Sequence, residues 1–173
     1  MKFRKLRSNE IDVRVGSVGA KGVTLLLYKD ARVDMQILDD TVGPENWQRD
    51  HFELKGNLFC RVGIKCGDTW VWKADCGTES NTEKEKGESS DSFKRACVCW
   101  GIGRELYTAP LIFVPCETEA QGTGYKLKNR NEFFGCRVTD ITYYTEDGAH
   151  VIDGLTIRNR RDEVIYSRRA IKQ

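Results

Sequence analysis

Leu58-Phe-Cys-Arg-Val-Gly-Ile-Lys-Cys-Gly-Asp-Thr-Trp-Val-Trp-Lys-Ala74 is the stretch that decides the fold. Leu58, Cys60, Val62, Ile64 and Cys66 alternate with Phe59, Arg61, Gly63 and Lys65, the period of a half-buried strand. Gly67-Asp68 is a two-residue hairpin turn with glycine at its first central position. Thr69 to Ala74 then reads as the return strand. Arg61 and Lys65 share one face of the first strand. Downstream, residues 84–107 read as one long helix that buries a single face, with Phe93, Cys97, Trp100 and Tyr107 in line and Ala96 beside them. Gly101 and Gly103 would weaken that helix by about 1 kcal/mol each, tolerable where a neighbour packs close.

Outward from this hairpin, Val23 to Tyr28 reads as a buried strand. Ala31, Met35, Leu38 and Val42 fall at helical spacing, so 31–42 is a predicted helix, stopped by Gly43-Pro44. Trp47 to Leu54 is a further strand, and Gly77-Thr-Glu-Ser80 falls in a loop before the long helix. Residues 116–132, rich in Gly, Lys, Asn and Glu, read as a loop. A three-strand meander follows: Phe133 to Thr145, Val151 to Arg158 and Glu163 to Arg168, with turns at Glu146-Asp-Gly148 and near Asn159 to Asp162. The expected class is α+β: an antiparallel hairpin and sheet packed on a long helix, with a C-terminal β-meander, in a single domain. Its expected parts are a basic segment at 1–10, a core at 11–108, and the loop and meander at 109–173.

The 173 residues suffice for one domain with a core. A net charge of +2 does not by itself announce a nucleic-acid binder, but the distribution is uneven. Lys2, Arg4, Lys5 and Arg7 open the chain without an acid, and Arg158, Arg160, Arg161, Arg168, Arg169 and Lys172 crowd its end. Acids concentrate between Asp75 and Asp91. No apolar run approaches the ~20 residues of a membrane span, and the basic start lacks the apolar stretch of a leader peptide. The seven cysteines are odd in number and include no CxxC pair, which fits reduced thiols in a cytoplasmic setting. Cys97 and Cys99 would point about 200° apart on a helix, so they read as small buried side chains and not as a metal pair.

Catalytic machinery is hard to find. Gly16 to Gly22 lacks the spacing of a phosphate-binding loop, and Gly101-Ile-Gly103 lacks the third glycine of a dinucleotide loop. His51 and His150 sit in no metal-like cluster. Glu53-Leu-Lys55 matches half of a metal-nuclease motif, with Asp39, Asp40 or Asp50 as the further acid; this is the enzymatic alternative, and a purely structural oligomer is a second. A binding reading has more to work with. Lys94 and Arg95 lie together on the helix, Lys86 lies about two turns earlier, Arg61 and Lys65 share a strand face, and Arg14 lies in the N-terminal segment. Such cations clamp phosphates without reading sequence.

Taken in order, these segments resemble the Rad-fifty-two superfamily of single-strand annealing proteins, especially the shorter versions encoded by bacteriophages. The likeness rests on Asp91-Ser-Phe-Lys-Arg-Ala96 followed by Trp100-Gly101, on Tyr28, on the helix at 31–42, on Gly43-Pro-Glu-Asn-Trp47 and on the hairpin with its Gly77 to Ser80 loop. It covers about residues 10–108. The resemblance implies a non-enzymatic protein that uses no ATP or other cofactor, binds single-stranded DNA and pairs complementary strands during recombination and repair. It implies a homo-oligomeric ring or arc in the cytoplasm of a bacterial host cell, with a phage exonuclease and the host single-strand-binding protein as partners. Carried over, Lys94 and Arg95 match a phosphate-binding pair. Lys86 and Ser90 match groove residues on earlier turns, and Arg14 and Tyr28 match an Arg and a Tyr of the N-terminal part. Val98 stands where the family has a further Arg, and Cys76 where it has a Tyr. Fewer contacts there would shift the burden to Arg61 and Lys65.

Overall fold

The computed structural model describes residues 1–78 and 84–171, without the side chains of 84–86. Glu79 and Ser80 of the expected loop, and the Lys86 side chain, lie outside the described residues. The chain forms two compact units. One comprises Met1–Lys5 with Asp30–Arg104; the other comprises Leu6–Lys29 with Glu105–Gln173.

In the first unit, helix α1 spans Ala31–Val42. Asp30 caps it by accepting a hydrogen bond from the Arg32 backbone N–H at 2.7 Å, an interaction worth about 1 kcal/mol. Gly43, at φ 85°, ends it as expected. An antiparallel sheet follows, made of β3 (Trp47–Leu54), β4 (Asn57–Cys66) and β5 (Thr69–Cys76), with β4 in the middle. The pairing runs without a break, Asp50 opposite Arg61 and Arg61 opposite Ala74. Each strand therefore keeps its alternation over its full length. Cys60, Val62 and Ile64 are fully buried on one face, and helix α2 (Lys84–Trp100) lies on that face.

Helix α2 ends earlier than its sequence pattern suggests. The Ile102 N–H donates to the Cys97 carbonyl at 3.1 Å, and the Gly101 N–H donates to that of Val98 at 2.9 Å. This 6→1 and 5→2 pair is a Schellman motif, and it needs a left-handed residue, supplied by Gly101 at φ 103°. Gly103, at φ 68°, turns the chain again. The expected helix to residue 107 is thus corrected: Arg104–Thr108 is a separate 3₁₀ turn, and Tyr107 is 69% exposed. The two glycines serve as a stop, because their backbone is left-handed; a residue with a Cβ would find open space at Gly101 but a strained conformation.

The second unit is built on one six-stranded antiparallel sheet in the order β11-β10-β9-β1-β2-β6. Its strands are β1 (Asp12–Gly19), β2 (Gly22–Tyr28), β6 (Ile112–Pro115), β9 (Arg137–Glu146), β10 (Ala149–Arg158) and β11 (Val164–Arg168). The expected meander is present as β9, β10 and β11. It continues the sheet begun by β1 through the pairing of Asp12 with Arg137, and β11 approaches β6, so the sheet nearly closes. The segment 116–132, expected as a loop, contains a short hairpin, β7 (Thr118–Gln121) and β8 (Gly124–Leu127). Four-residue strands carry too little alternation to be distinguished from loop. Strand β1 went unanticipated because a bulge between Val15 and Ser17 breaks its period at Gly16.

Candidate nucleic-acid interface

The α2 side of the three-stranded sheet is tied together by specific side chains. Phe93, fully buried, stacks on Trp47 with ring centroids 6.1 Å apart, and the Arg49 guanidinium lies 4.8 Å from its ring centroid. The Trp100 indole donates to the Val62 carbonyl at 2.9 Å. At the N-terminal part of α2, Asp91 accepts from the Thr78 N–H and hydroxyl at 3.0 and 3.1 Å, and Glu88 accepts from the Leu58 N–H. Gly77 passes so close to α2 that an added Cβ would press on the Glu88 carbonyl oxygen and the Ser92 backbone nitrogen. The loop glycine is therefore a requirement of packing.

Ser90, Lys94 and Val98 recur every four residues and form one stripe of α2, with Lys86 one turn before them. Ser90, Lys94 and Arg95 are all half-buried. Lys94 makes no hydrogen bond or ion pair with another described residue. Arg95 differs: its guanidinium meets Asp75 of β5 at 3.3 Å, while its buried Nε has no hydrogen-bond acceptor among the described residues. Two cations that the sequence did not single out stand at the end of the helix. Lys73 Nζ and an Arg104 terminal nitrogen both donate to the Cys99 carbonyl, at 3.0 and 3.1 Å, where the negative end of the helix dipole favours them. Lys73 also lies 4.6 Å from the Trp100 ring centroid. Its signal was in the sequence, since Lys73 alternates with Trp72 in β5 and falls on the α2 side.

The structure separates Arg61 and Lys65 from this helix. Both lie on the opposite face of the sheet. Arg61 is held by Asp50, at 2.9 and 3.2 Å, and lies 4.7 Å over the Trp72 ring. Arg14 and Tyr28 belong to the second unit, where they share an open face of the β1–β2 pair, with the Arg14 guanidinium 5.8 Å from the Tyr28 ring centroid.

The nuclease arrangement finds no support in the geometry. Asp50 and Glu53 point to opposite faces of β3 because the alternation is unbroken. Asp39 accepts from the Trp47 indole at 2.6 Å, and Asp40 accepts from Gln36 at 2.7 Å. Lys55 occupies the β3–β4 turn at φ 55°. Among the described residues, no group of three or more His, Cys, Asp or Glu side chains is placed to hold a metal ion. The cysteines behave as small packing groups in part: Cys97 is buried and Cys99 half-exposed, and burial pushes the Cys60 thiol up to about 11.

No helix among the described residues is long and apolar enough to cross a membrane. No curated protein and no solved structure matches the chain. A family model does, that of the Rad52/22 family double-strand break repair protein, over residues 3–122. That span takes in α1, the three-stranded sheet, α2 and the β1–β2 pair, so the elements that carry Lys94, Arg95, Arg14 and Tyr28 all fall inside it. By this match over most of its length, the chain belongs to the Rad52/22 family of double-strand break repair proteins.

Proposed function

We propose that this protein binds single-stranded DNA through Lys94, Arg95, Lys86 and Ser90 of α2, with Arg14 and Tyr28, and anneals complementary strands without ATP as a homo-oligomer. The observation that carries this reading is the α2 stripe: Lys94 without a protein counter-ion among the described residues, next to an arginine whose buried Nε–H lacks an acceptor there, inside the span matched by the family. An unsatisfied buried donor costs about 1–3 kcal/mol, and a phosphate oxygen would meet it once the Arg95 side chain swings outward from Asp75. Asp75 would have to yield part of its hold on Arg95; at 42% and 33% side-chain exposure the pair is weak enough to exchange.

Annealing needs no nucleotide hydrolysis, because each stacked base-pair step releases roughly 1.4 kcal/mol. The protein's task is to hold a strand extended so that a complement can test register. A phage-type ring or arc, working beside an exonuclease and the host single-strand-binding protein, is the assembly this reading favours. Mixing complementary fluorescent oligonucleotides with the protein, without nucleotide, tests it. Pairing faster than the spontaneous rate is expected. Pairing at the spontaneous rate, with protein in excess over strands, sinks the proposal.

A further inference from the structure

The face of the three-stranded sheet turned away from α2 carries an unusual set of side chains. Read across β3, β4 and β5, its rows are Phe52, Phe59 and Cys76; then Asp50, Arg61 and Ala74; then Gln48, Gly63 and Trp72. Lys65 and Trp70 form the last row. The Phe52 and Phe59 rings stack at 5.5 Å, and Trp70 and Trp72 sit 6.4 Å apart. Trp72 lies flat over Gly63, where any Cβ would meet its ring atoms at 2.9 Å. Yet Phe52, Trp70 and Trp72 remain more than a third exposed.

Between these aromatics is a pocket of about 270 Å³ lined by Asp50, Phe52, Arg61, Trp72 and Ala74. Ala74 is the smallest lining residue and leaves the depression. Phe52 and Trp72 stand in the rows on either side of it. Asp50 and Arg61, paired with each other, line it with a carboxylate and a guanidinium. The pocket lies just under the roughly 300–1,000 Å³ of sites that take drug-sized ligands, which suits one flat ring. Two aromatics, with an adjacent donor and acceptor, are what a nucleobase requires: π-faces to stack on, and partners for its polar edge. Because Arg61 lies over the Trp72 ring in the unliganded chain, a base would stack on Trp72 by displacing that guanidinium to its polar edge. The face also has the right charge, because Arg61 and Lys65 outnumber Asp50. An apolar protein surface would have to strip water from all three.

We propose that this pocket is a slot for an unpaired nucleobase, formed by Phe52 and Trp72 with Arg61 and Asp50 at its edge. The proposal rests on the single-strand-binding reading above and adds a base contact to it, on the opposite sheet face from Lys94. A strand engaged here is held through its bases and not only its phosphates.

The experiment compares oligothymidylate with an abasic sugar–phosphate strand of equal length, on the full chain. Strand binding is followed by anisotropy of a label on the DNA, and the slot by intrinsic tryptophan fluorescence. Oligothymidylate is expected to quench the tryptophans and the abasic strand to leave them unchanged, with the quenching reduced in Trp72→Phe. Phe52→Ala with Trp72→Ala is expected to lose roughly tenfold or more in affinity for oligothymidylate and nothing for the abasic strand. If that variant fails to fold, the fluorescence comparison on the unaltered chain and Trp72→Phe decides alone. Equal quenching by both strands, or binding by anisotropy with no quenching, overturns the slot and leaves the single-strand reading standing. Binding of neither strand at low salt overturns both. A Trp72-dependent fluorescence change on raising protein concentration without DNA assigns the face to a second copy of the chain and also overturns the slot.

Discussion

The two faces of the three-stranded sheet are made from alternate residues of the same strands, yet they are built to different ends. On the α2 side, Cys60, Val62 and Ile64 have no exposed surface, and Trp47, Arg49 and Lys73 each stack on an aromatic of the helix or are stacked upon by one. On the other side, the larger aromatics lie half open and pair with one another or with Arg61. The difference teaches that aromatic content does not mark a core. What marks it is whether a second element covers the face.

That contrast can be broken by substitution. Phe93→Ala empties a fully buried site under α2 and should cost about 3–5 kcal/mol, measured as a fall in the denaturant midpoint. Trp70→Ala on the open face should cost under half as much, because its ring is already more than a third exposed. Equal losses would mean that the open face is as well packed as the covered one. Gly77→Ala should cost about 1–3 kcal/mol by the same measurement, since its Cβ would meet backbone atoms of α2 that cannot step aside.

Binding sharpens the comparison further. Lys94→Ala with Arg95→Ala should weaken single-strand binding to oligothymidylate and to the abasic strand alike, and lower the salt dependence by roughly 1–2 units of log–log slope. Asp75→Asn should do the reverse by a few-fold, because it releases Arg95 from its only ion pair among the described residues. Affinities measured across a salt series check both; an unchanged slope in the folded double variant moves the phosphate contacts off α2.

The smallest effect concerns thiols. Cys60 lies on the covered face and Cys66 is exposed by the hairpin turn. Timed alkylation at pH 8 should modify Cys66 well before Cys60. Burial raises the Cys60 thiol from 9.0 to about 11, so the folded state holds this proton more tightly than the unfolded chain. The stability it contributes is complete below about pH 9 and is lost as pH rises towards 11. Unfolding curves across pH 8 to 11 should show a decline that Cys60→Ala reduces.

Much of the first unit was legible from residues alone. Helix α1, strand β3 and the β4–β5 hairpin stand where spacing and turn residues put them, helped by the local signals Gly43-Pro44 and Gly67-Asp68. The second unit was less so. Strand β1 carries a bulge, and β7 and β8 are four residues each. Within the first unit, the end of α2 depended on Gly101 taking a left-handed conformation that a helical pattern does not announce. The candidate site was legible as a pair, Lys94 and Arg95, but the Asp75 partner was not, since strand β5 reaches α2 only in three dimensions.

What the sequence by itself determined is α1, β3, the β4–β5 hairpin, the body of α2, the C-terminal meander and the Lys94–Arg95 pair, because alternation, helical spacing and turn chemistry are local properties. Only the tertiary structure decided which cations lie on the same face. Packing α2 on one face of the sheet put Arg95 against Asp75 and left Lys94 on the helix stripe. It turned Arg61 and Lys65 to the opposite side. A strand's period fixes two faces, but which face is covered depends on the element that folds onto it.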